Sequence, residues 1–344
     1  MEMKKVRLGR TELMVTKTAF GALPVQRIGH ADAKALLRRA YDSGINYFDT
    51  ANAYTDSEEK IGEALSDVRH NIVISTKSGG GDKKTVQSHI EESLRRLKTD
   101  YIDLFQFHNP AQLPDINDPD GPFAAALEAK QKGYVRHIGI TNHRLKVALA
   151  AVDSGNFETM QFPFCYLSSG KDVDLVNRCK AADMGFIAMK GLSGGMLNNA
   201  AACYAFMQGY DNVVPIWGVQ HEWELDQWLE LTEENQQLTP ALQAVIDHDR
   251  KELAHNFCRS CGYCLPCSAG IDIPQAARMA MLLRRSPYQP YMTDEWYAKM
   301  HRIEDCIHCD VCKSRCPYEL DTPELLQAML KDYDAFYAQH HNDQ

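Results

Sequence analysis

The 344-residue chain contains no uninterrupted apolar stretch near the roughly 20 residues that a membrane-spanning helix takes. Its start, Met1 to Arg10, is charged and lacks the apolar segment of a secretory signal, so a cytoplasmic protein is expected. Positive charge is in short supply: 37 Lys plus Arg against 46 Asp plus Glu leaves a net charge of −9. That argues against nucleic acid as a partner, because phosphates call for a basic surface. The dinucleotide fingerprint G-x-G-x-x-G is missing where a doubly wound fold needs it, since Gly21-Ala22-Leu23-Pro24 stands at the first strand-to-helix turn.

What is present is an ordinary globular composition, 44% hydrophobic and 24% charged, with enough apolar material for a large core. Short apolar runs predict strands at 16–23, 46–51, 71–77, 101–108, 135–142, 159–165, 185–190 and 212–218. Helical patterns separate them, several stopping at a glycine suited to a left-handed cap, as at Gly44, Gly133 and Gly155. A strand followed by a helix eight times within about 235 residues matches the length of a (β/α)8 TIM barrel, with an open doubly wound sheet as the alternative. Ahead of these strands, Val6 to Leu8 and Leu13 to Val15 flank Gly9-Arg10-Thr11 as a small hairpin suited to closing the lower end of the barrel. The expected organisation is a barrel over 1–245 and a helical appendix over 246–344.

The chemistry of such a barrel gathers at the C-terminal ends of its strands. Asp49, Lys77 and His108 end the second, third and fourth predicted strands, and Tyr54 follows in the loop beyond Asp49. Each alone reads as a capping, solvated or packed residue. Together they read as a device for giving a proton to a carbonyl. An ammonium at Lys77 would stabilise the Tyr54 phenolate and lower its pKa, Asp49 would hold Lys77, and His108 would donate a hydrogen bond to the substrate oxygen.

The segments FDTANAYTDSEEKIGEAL at 48–65, STKSG at 75–79, QFHNP at 106–110 and GYVRHIGITNH at 133–143 resemble the aldo/keto reductase family over roughly 5–235. The resemblance implies a catalytic tetrad at Asp49, Tyr54, Lys77 and His108, and a nicotinamide cofactor, NADP(H) or NAD(H), bound without a Rossmann motif. Thr141, Asn142 and Gln161 match the positions that hold the carboxamide, and Phe164 falls where an aromatic stacks on the nicotinamide. Lys190-Gly191-Leu192-Ser193-Gly194-Gly195 resembles the pyrophosphate loop, with Lys190, Gly191, Leu192 and Gly194 as its contacts; glycines allow close backbone approach. After the eighth strand the family commonly offers basic and hydroxyl side chains to an adenosine 2′-phosphate. This chain reads Gly218-Val219-Gln220-His221-Glu222-Trp223-Glu224, so the choice between NADPH and NADH stays open.

The last 90 or so residues hold eight of the eleven cysteines. Cys258, Cys261, Cys264 and Cys267 are each separated by two residues, and Cys306, Cys309, Cys312 and Cys316 follow C-x2-C-x2-C-x3-C with Pro317 after, the bacterial ferredoxin run. Zinc is the rival, but structural zinc usually takes two C-x2-C pairs rather than triplets. In the ferredoxin pattern three thiolates share one cubane while the fourth reaches the other. That predicts two 4Fe-4S clusters, on Cys258, Cys261, Cys264 and Cys316 and on Cys306, Cys309, Cys312 and Cys267. The first group departs from the pattern, with two residues rather than three before Cys267 and Ser268 in place of Pro. Helices are predicted at 238–253, 274–285, 293–302 and 323–339, and the last carries a stripe of Leu325, Leu326, Met329, Tyr333 and Phe336 read as docking the appendix onto the barrel. A subset of aldo/keto reductases has such a ferredoxin-like C-terminal domain, and GYCLPCSAGIDIP at 262–274 resembles its opening.

Two functions are in view: an oxidoreductase acting on a small aldehyde, ketone or alcohol, and a redox-sensing binding protein that controls a partner through cofactor and cluster state. Hydride carries two electrons while each cluster accepts one, and no flavin-binding signature is visible. Electron relay would therefore require a separate flavin or ferredoxin partner.

Overall fold

The structure, a computed structural model, describes residues 3–253, 257–285 and 287–341. All eight predicted barrel strands are present. After a hairpin of β1 (Lys5–Arg7) and β2 (Met14–Thr16) come β3 (Ala19–Gly21), β4 (Tyr47–Asp49), β5 (Val73–Ser78), β6 (Ile102–His108), β7 (Val135–Thr141), β8 (Thr159–Pro163), β9 (Gly185–Met189) and β10 (Val213–Gly218). Strands β3 to β10 pair in chain order, all parallel, and β10 closes back onto β3. Strands enclosed on both faces read as continuous apolar runs, which is why they were legible as short Val, Ile and Phe clusters.

The lower barrel is filled by Ala19, Tyr47, Val73, Leu104, Ile187, Val214 and Ile216, with Leu8 and Val15 of the hairpin packed beneath. Gly9 makes that approach possible: its φ is +54°, and an added Cβ would lie 2.2 Å from the Gly185 nitrogen. Arg10 clamps the hairpin by donating to the carbonyls of Gly155 at 2.8 Å and Phe157 at 2.6 Å. This leaves the opposite, C-terminal ends of the strands for chemistry.

The helices around the barrel are α1 (His30–Asp42), α2 (Ser57–Leu65), α3 (Lys83–Arg96), α4 (Pro122–Gln131), α5 (Leu145–Ser154), α6 (Gly170–Ala181), α7 (Ala200–Gln208) and α8 (Glu222–Glu233). Local signals start several of them. Asp82 accepts from the Thr85 N–H to cap α3, and Ser169 with Asp172 forms a capping box on α6.

The chain divides into two compact units, Met1–Gly191 with Asn199–Gln243, and Leu192–Asn198 with Ala244–Gln344. The second contains α9 (Pro240–Leu253, continuing from the first), α10 (Ile273–Ala276), α11 (Met279–Arg285), α12 (Asp294–His301), α13 (Val311–Arg315) and α14 (Thr322–His340). The helix predicted at 274–285 is broken into α10 and α11 around Ala277 and Arg278. Ile271, Ile273, Met279, Met300, Ile303, Leu326, Leu330 and Tyr333 form this unit's core. The α14 stripe was expected to be a docking face, but Leu326 and Tyr333 are buried in that core and Leu325, Met329 and Phe336 pack against it. A unit of this size has few apolar side chains, and α14 supplies a large share of them. Among the described residues no helix is long and apolar enough to cross a membrane.

Candidate functional site

Asp49, Tyr54, Lys77 and His108 come together at the C-terminal ends of β4, β5 and β6. Lys77 donates to Asp49 Oδ2 at 2.7 Å and to the Thr50 carbonyl at 2.5 Å. Both partners are nearly sealed, Lys77 at 1% and Asp49 at 3% exposure. The Lys77 ammonium lies 5.2 Å from the centre of the Tyr54 ring, and the His108 ring meets Tyr54 edge-on at 5.8 Å. Tyr54 and His108 are half-buried, so the buried ion pair lies beneath two groups that solvent can reach.

The electrostatics correct one expectation. The Tyr54 pKa is raised, first by burial and then by the negative charge of Asp49, rather than lowered by Lys77. The reason is that Lys77's charge is already engaged by Asp49; burial pulls the Lys77 pKa down and Asp49 opposes it. Burial, helped by the charge on Lys77, pushes His108 down to about 3. The site thus holds a protonated phenol beside a neutral imidazole, which can donate hydrogen bonds to an oxygen without carrying charge.

Next to this group, Thr141 at the end of β7 and Gln161 in the middle of β8 are buried, and the Thr141 hydroxyl and Gln161 Nε2 each lie 3.8 Å from Met189 Sδ. A hydroxyl and an amide beside an apolar side chain are the donors and acceptors a carboxamide takes, so these residues fit a nicotinamide. Asn142 is adjacent but already occupied. Its Nδ2 donates to the Pro110 carbonyl at 2.8 Å and its Oδ1 accepts from the Arg144 N–H at 2.7 Å, tying the loop after β6 to the end of β7. Phe164 lies outside the group, contrary to its expected stacking role. It is fully buried, with its ring against Phe186, Phe206 and Tyr210, so no face is left for a cofactor.

In the glycine-rich segment, Lys190 has φ +61° and belongs with Gly191 to the first unit. Gly191 is required by packing, since an added Cβ would lie 2.5 Å from the Trp217 ring. Leu192 and Gly194 belong to the second unit, where the Gly194 carbonyl accepts from Arg278 at 2.8 Å and the Met196 carbonyl from Arg285 at 3.1 Å.

Three participants were missed from the sequence. Ser75 donates to Asp49 Oδ1 at 2.6 Å, Gln106 donates to Gln161 Oε1 at 2.7 Å, and Met189 faces the carboxamide candidates. Period-two alternation back from His108 puts Gln106 on the inner face, and back from Lys77 it does the same for Ser75.

In the second unit, one cavity is lined by Cys258, Cys261, Cys264 and Cys316 and another by Cys267, Cys306, Cys309 and Cys312, with Cys264 also on the wall of the second. Positive φ at Ser260, Gly262, His308 and Asp310 curls the cysteine loops inward, and the Ser260 N–H donates to Cys258 Sγ at 3.4 Å. Burial and neighbouring sulfurs push the Cys264 thiol up to about 12. Thiols crowded this way repel one another as thiolates, and iron cations relieve that repulsion, so the donor set fits iron-sulfur clusters. Cys165, Cys179 and Cys203 are buried, as expected.

Comparison with known proteins follows this division. A family model described as the aldo/keto reductase family matches residues 17–255. The chain belongs to the aldo/keto reductase family. A second model, described as a 4Fe-4S dicluster domain, matches residues 257–321. Relatives of this reductase-family chain include the uncharacterized oxidoreductase YqkF of Bacillus subtilis, 33% identical over 47% of this chain and 56% of its own length. The L-galactose dehydrogenase of Arabidopsis thaliana is 32% identical over 55% of this chain and 66% of its own length. The chain therefore spans between about half and two thirds of these relatives. Among solved structures, the holo form of aldo-keto reductase AKR11C1 from Bacillus halodurans has the same fold, with TM-score 0.63, 22% identity, and coverage of 72% of this chain and 96% of its own. A Klebsiella pneumoniae aldo-keto reductase in complex with NADPH gives TM-score 0.59 and 22% identity, covering 72% of this chain and 95% of its own.

Proposed function

We propose that this protein is a nicotinamide-dependent oxidoreductase that reduces an aldehyde or ketone, or runs the reverse alcohol oxidation. The observation that carries the reading is the buried Lys77–Asp49 pair at 2.7 Å beneath the Tyr54 ring, with His108 edge-on to the same ring. A bound nicotinamide supplies the hydride. The chain's own residues handle the oxygen and its proton. The neutral His108 donates a hydrogen bond to the carbonyl oxygen as negative charge develops there. Tyr54 transfers its phenolic proton to that oxygen, completing the alcohol, and recovers a proton from solvent. Lys77 and Asp49 form the buried pair beneath the Tyr54 ring, with Asp49 keeping Lys77 charged in a buried setting. Thr141 and Gln161 would hold the carboxamide, Met189 rather than Phe164 would pack against the ring, and Lys190 and Gly191 would meet the pyrophosphate. The NADPH-bound Klebsiella reductase favours NADP(H) over NAD(H) only by fold likeness.

In the second unit the cysteine linings support two clusters, one on Cys258, Cys261, Cys264 and Cys316 and the other on Cys267, Cys306, Cys309 and Cys312. Such clusters pass single electrons, so a one-electron carrier or flavoprotein partner accompanies any relay. The test is anaerobic addition of NADPH or NADH to the holoprotein while cluster absorbance and nucleotide consumption are followed with a panel of carbonyls. Carbonyl-dependent consumption that disappears in Tyr54→Phe supports the reductase; turnover unchanged in that variant overturns it.

A further inference from the structure

Gln106 stands at the centre of the barrel, fully buried, two residues before His108 on β6. Its Nε2 points at two acceptors at once, Gln161 Oε1 at 2.7 Å and Asp49 Oδ1 at 3.4 Å. Its own Oε1 is a buried atom without a hydrogen-bond partner. A side chain kept for packing would not leave that acceptor empty, because an unsatisfied buried carbonyl is costly. Gly139 creates the opening across which Gln106 reaches. It pairs in register with Gln106 on one side and Thr159 on the other, and an added Cβ would lie 3.3 Å from Gln106 Cγ and 2.0 Å from Thr159 Oγ1.

The polarity of this chain is set at one end. Asp49 accepts from Ser75, Lys77 and Gln106, and an ionised carboxylate only accepts. Gln106 must therefore turn its amino group toward Asp49, and the same group then faces Gln161. Gln161 in turn must offer its oxygen to Gln106, which directs its Nε2 toward Met189 Sδ, 3.8 Å away, and toward the site. Reversing either amide would set two oxygens or two N–H groups against each other.

We propose that Gln106 is a positioning residue that relays the charge of Asp49 to Gln161, so that Gln161 presents an N–H donor to the carboxamide oxygen of a nicotinamide. The inference rests on the reading that Gln161 meets the carboxamide. One acidic group thereby serves two steps: it holds Lys77 for proton transfer and fixes the amide that orients the hydride donor.

The test is calorimetric binding of NADP+ and NAD+ to the cluster-loaded protein, with 2′-phospho-ADP-ribose and ADP-ribose as ligands lacking the nicotinamide. Gln106→Leu, Gln161→Leu and the double variant are compared. Loss of one oriented hydrogen bond is expected to weaken whole-dinucleotide binding roughly tenfold in each single variant. Binding of the ring-less fragments should be unchanged, and the double variant should be no weaker than Gln161→Leu alone. Fragment binding also reports that the variants are folded; if Leu at 106 does not fold, Gln106→Met keeps the side-chain length and removes the donor. Full-strength dinucleotide binding in Gln161→Leu sinks the carboxamide reading itself. Weakened binding in Gln161→Leu with unchanged binding in Gln106→Leu sinks the relay alone, as does additivity in the double variant.

Discussion

Lys77 Nζ lies 2.7 Å from Asp49 Oδ2, with both side chains almost fully removed from solvent. A pair buried this deeply gives little net stability, but removing one partner strands the other as an uncompensated buried charge. Lys77→Met is therefore expected to destabilise the protein by about 3 kcal/mol or more, with Asp49 left facing the neutral donors Ser75 and Gln106. Thermal unfolding of the cluster-loaded protein checks this. A melting temperature equal to that of the unaltered chain would contradict the buried pair.

Tyr54 differs from Lys77 in that its hydroxyl is not part of the buried scaffold. Tyr54→Phe should keep the fold, bind the dinucleotide within about twofold of the unaltered protein, and lower the carbonyl-reduction kcat by roughly 10²–10⁴, the range for losing a positioned acid. Steady-state kinetics with a reactive aldehyde, alongside calorimetric binding, separates the two effects. A variant that loses binding and turnover equally would make Tyr54 a ligand-contact residue rather than the acid.

The pH response follows from two shifts. Reduction needs Tyr54 protonated, a form lost only as pH rises through its pKa, and burial has raised that pKa above the usual phenol value. It also needs His108 neutral, a form lost as pH falls through about 3. The saturated reduction rate should accordingly be level between about pH 5 and pH 9, with no limb near the ordinary imidazole value of about 6.5. Stability moves differently. Unfolded His108 takes up a proton near pH 6.5 while the folded form resists it, so stability declines as pH falls from there toward 3. A reduction profile bending near 6.5 would show that His108 is titrating in the working enzyme.

Much of this was legible in the sequence because a parallel barrel writes its strands as short apolar runs and its chemistry at their ends. Lys77 and His108 each ended a predicted run, Asp49 lay near the end of another, and the eight runs correspond to β3 through β10. What escaped was orientation and distance. Phe164 was matched to the stacking position by resemblance alone, and a match in sequence says nothing of the ring's surroundings, which are Phe186, Phe206 and Tyr210. Met189 and Gln106 drew no reading of their own, although two-residue alternation back from His108 puts Gln106 on the inner face. Nothing local marks Leu192–Asn198 as grouping with residues beyond 244, since the contacts responsible, from Arg278 and Arg285, arrive from more than 80 positions away. The break between α10 and α11 was also hidden, because PQAARMAMLLRR contains good helix formers throughout.

The cysteine cavities make a final prediction about which thiols act together. Cys316 lines the cavity of Cys258, Cys261 and Cys264, while Cys267 lines that of Cys306, Cys309 and Cys312, so each sequence group lends its last member to the other. If the ligands cross in this way, Cys316→Ser and Cys258→Ser should lose the same cluster, and Cys267→Ser and Cys309→Ser the other. Each variant would retain about half the iron of the unaltered protein. Low-temperature electron paramagnetic resonance of the dithionite-reduced variants distinguishes the possibilities, because the spectrum of the surviving cluster identifies which one was lost. Matching spectra for Cys316→Ser and Cys309→Ser would mean that each group holds its own cluster. The departure of the first group from the ferredoxin spacing makes Cys267→Ser the decisive variant. Full iron retention there would assign the fourth position of that cluster to a group other than a cysteine, whereas loss of half the iron would show that a spacing of two residues still lets Cys267 reach across.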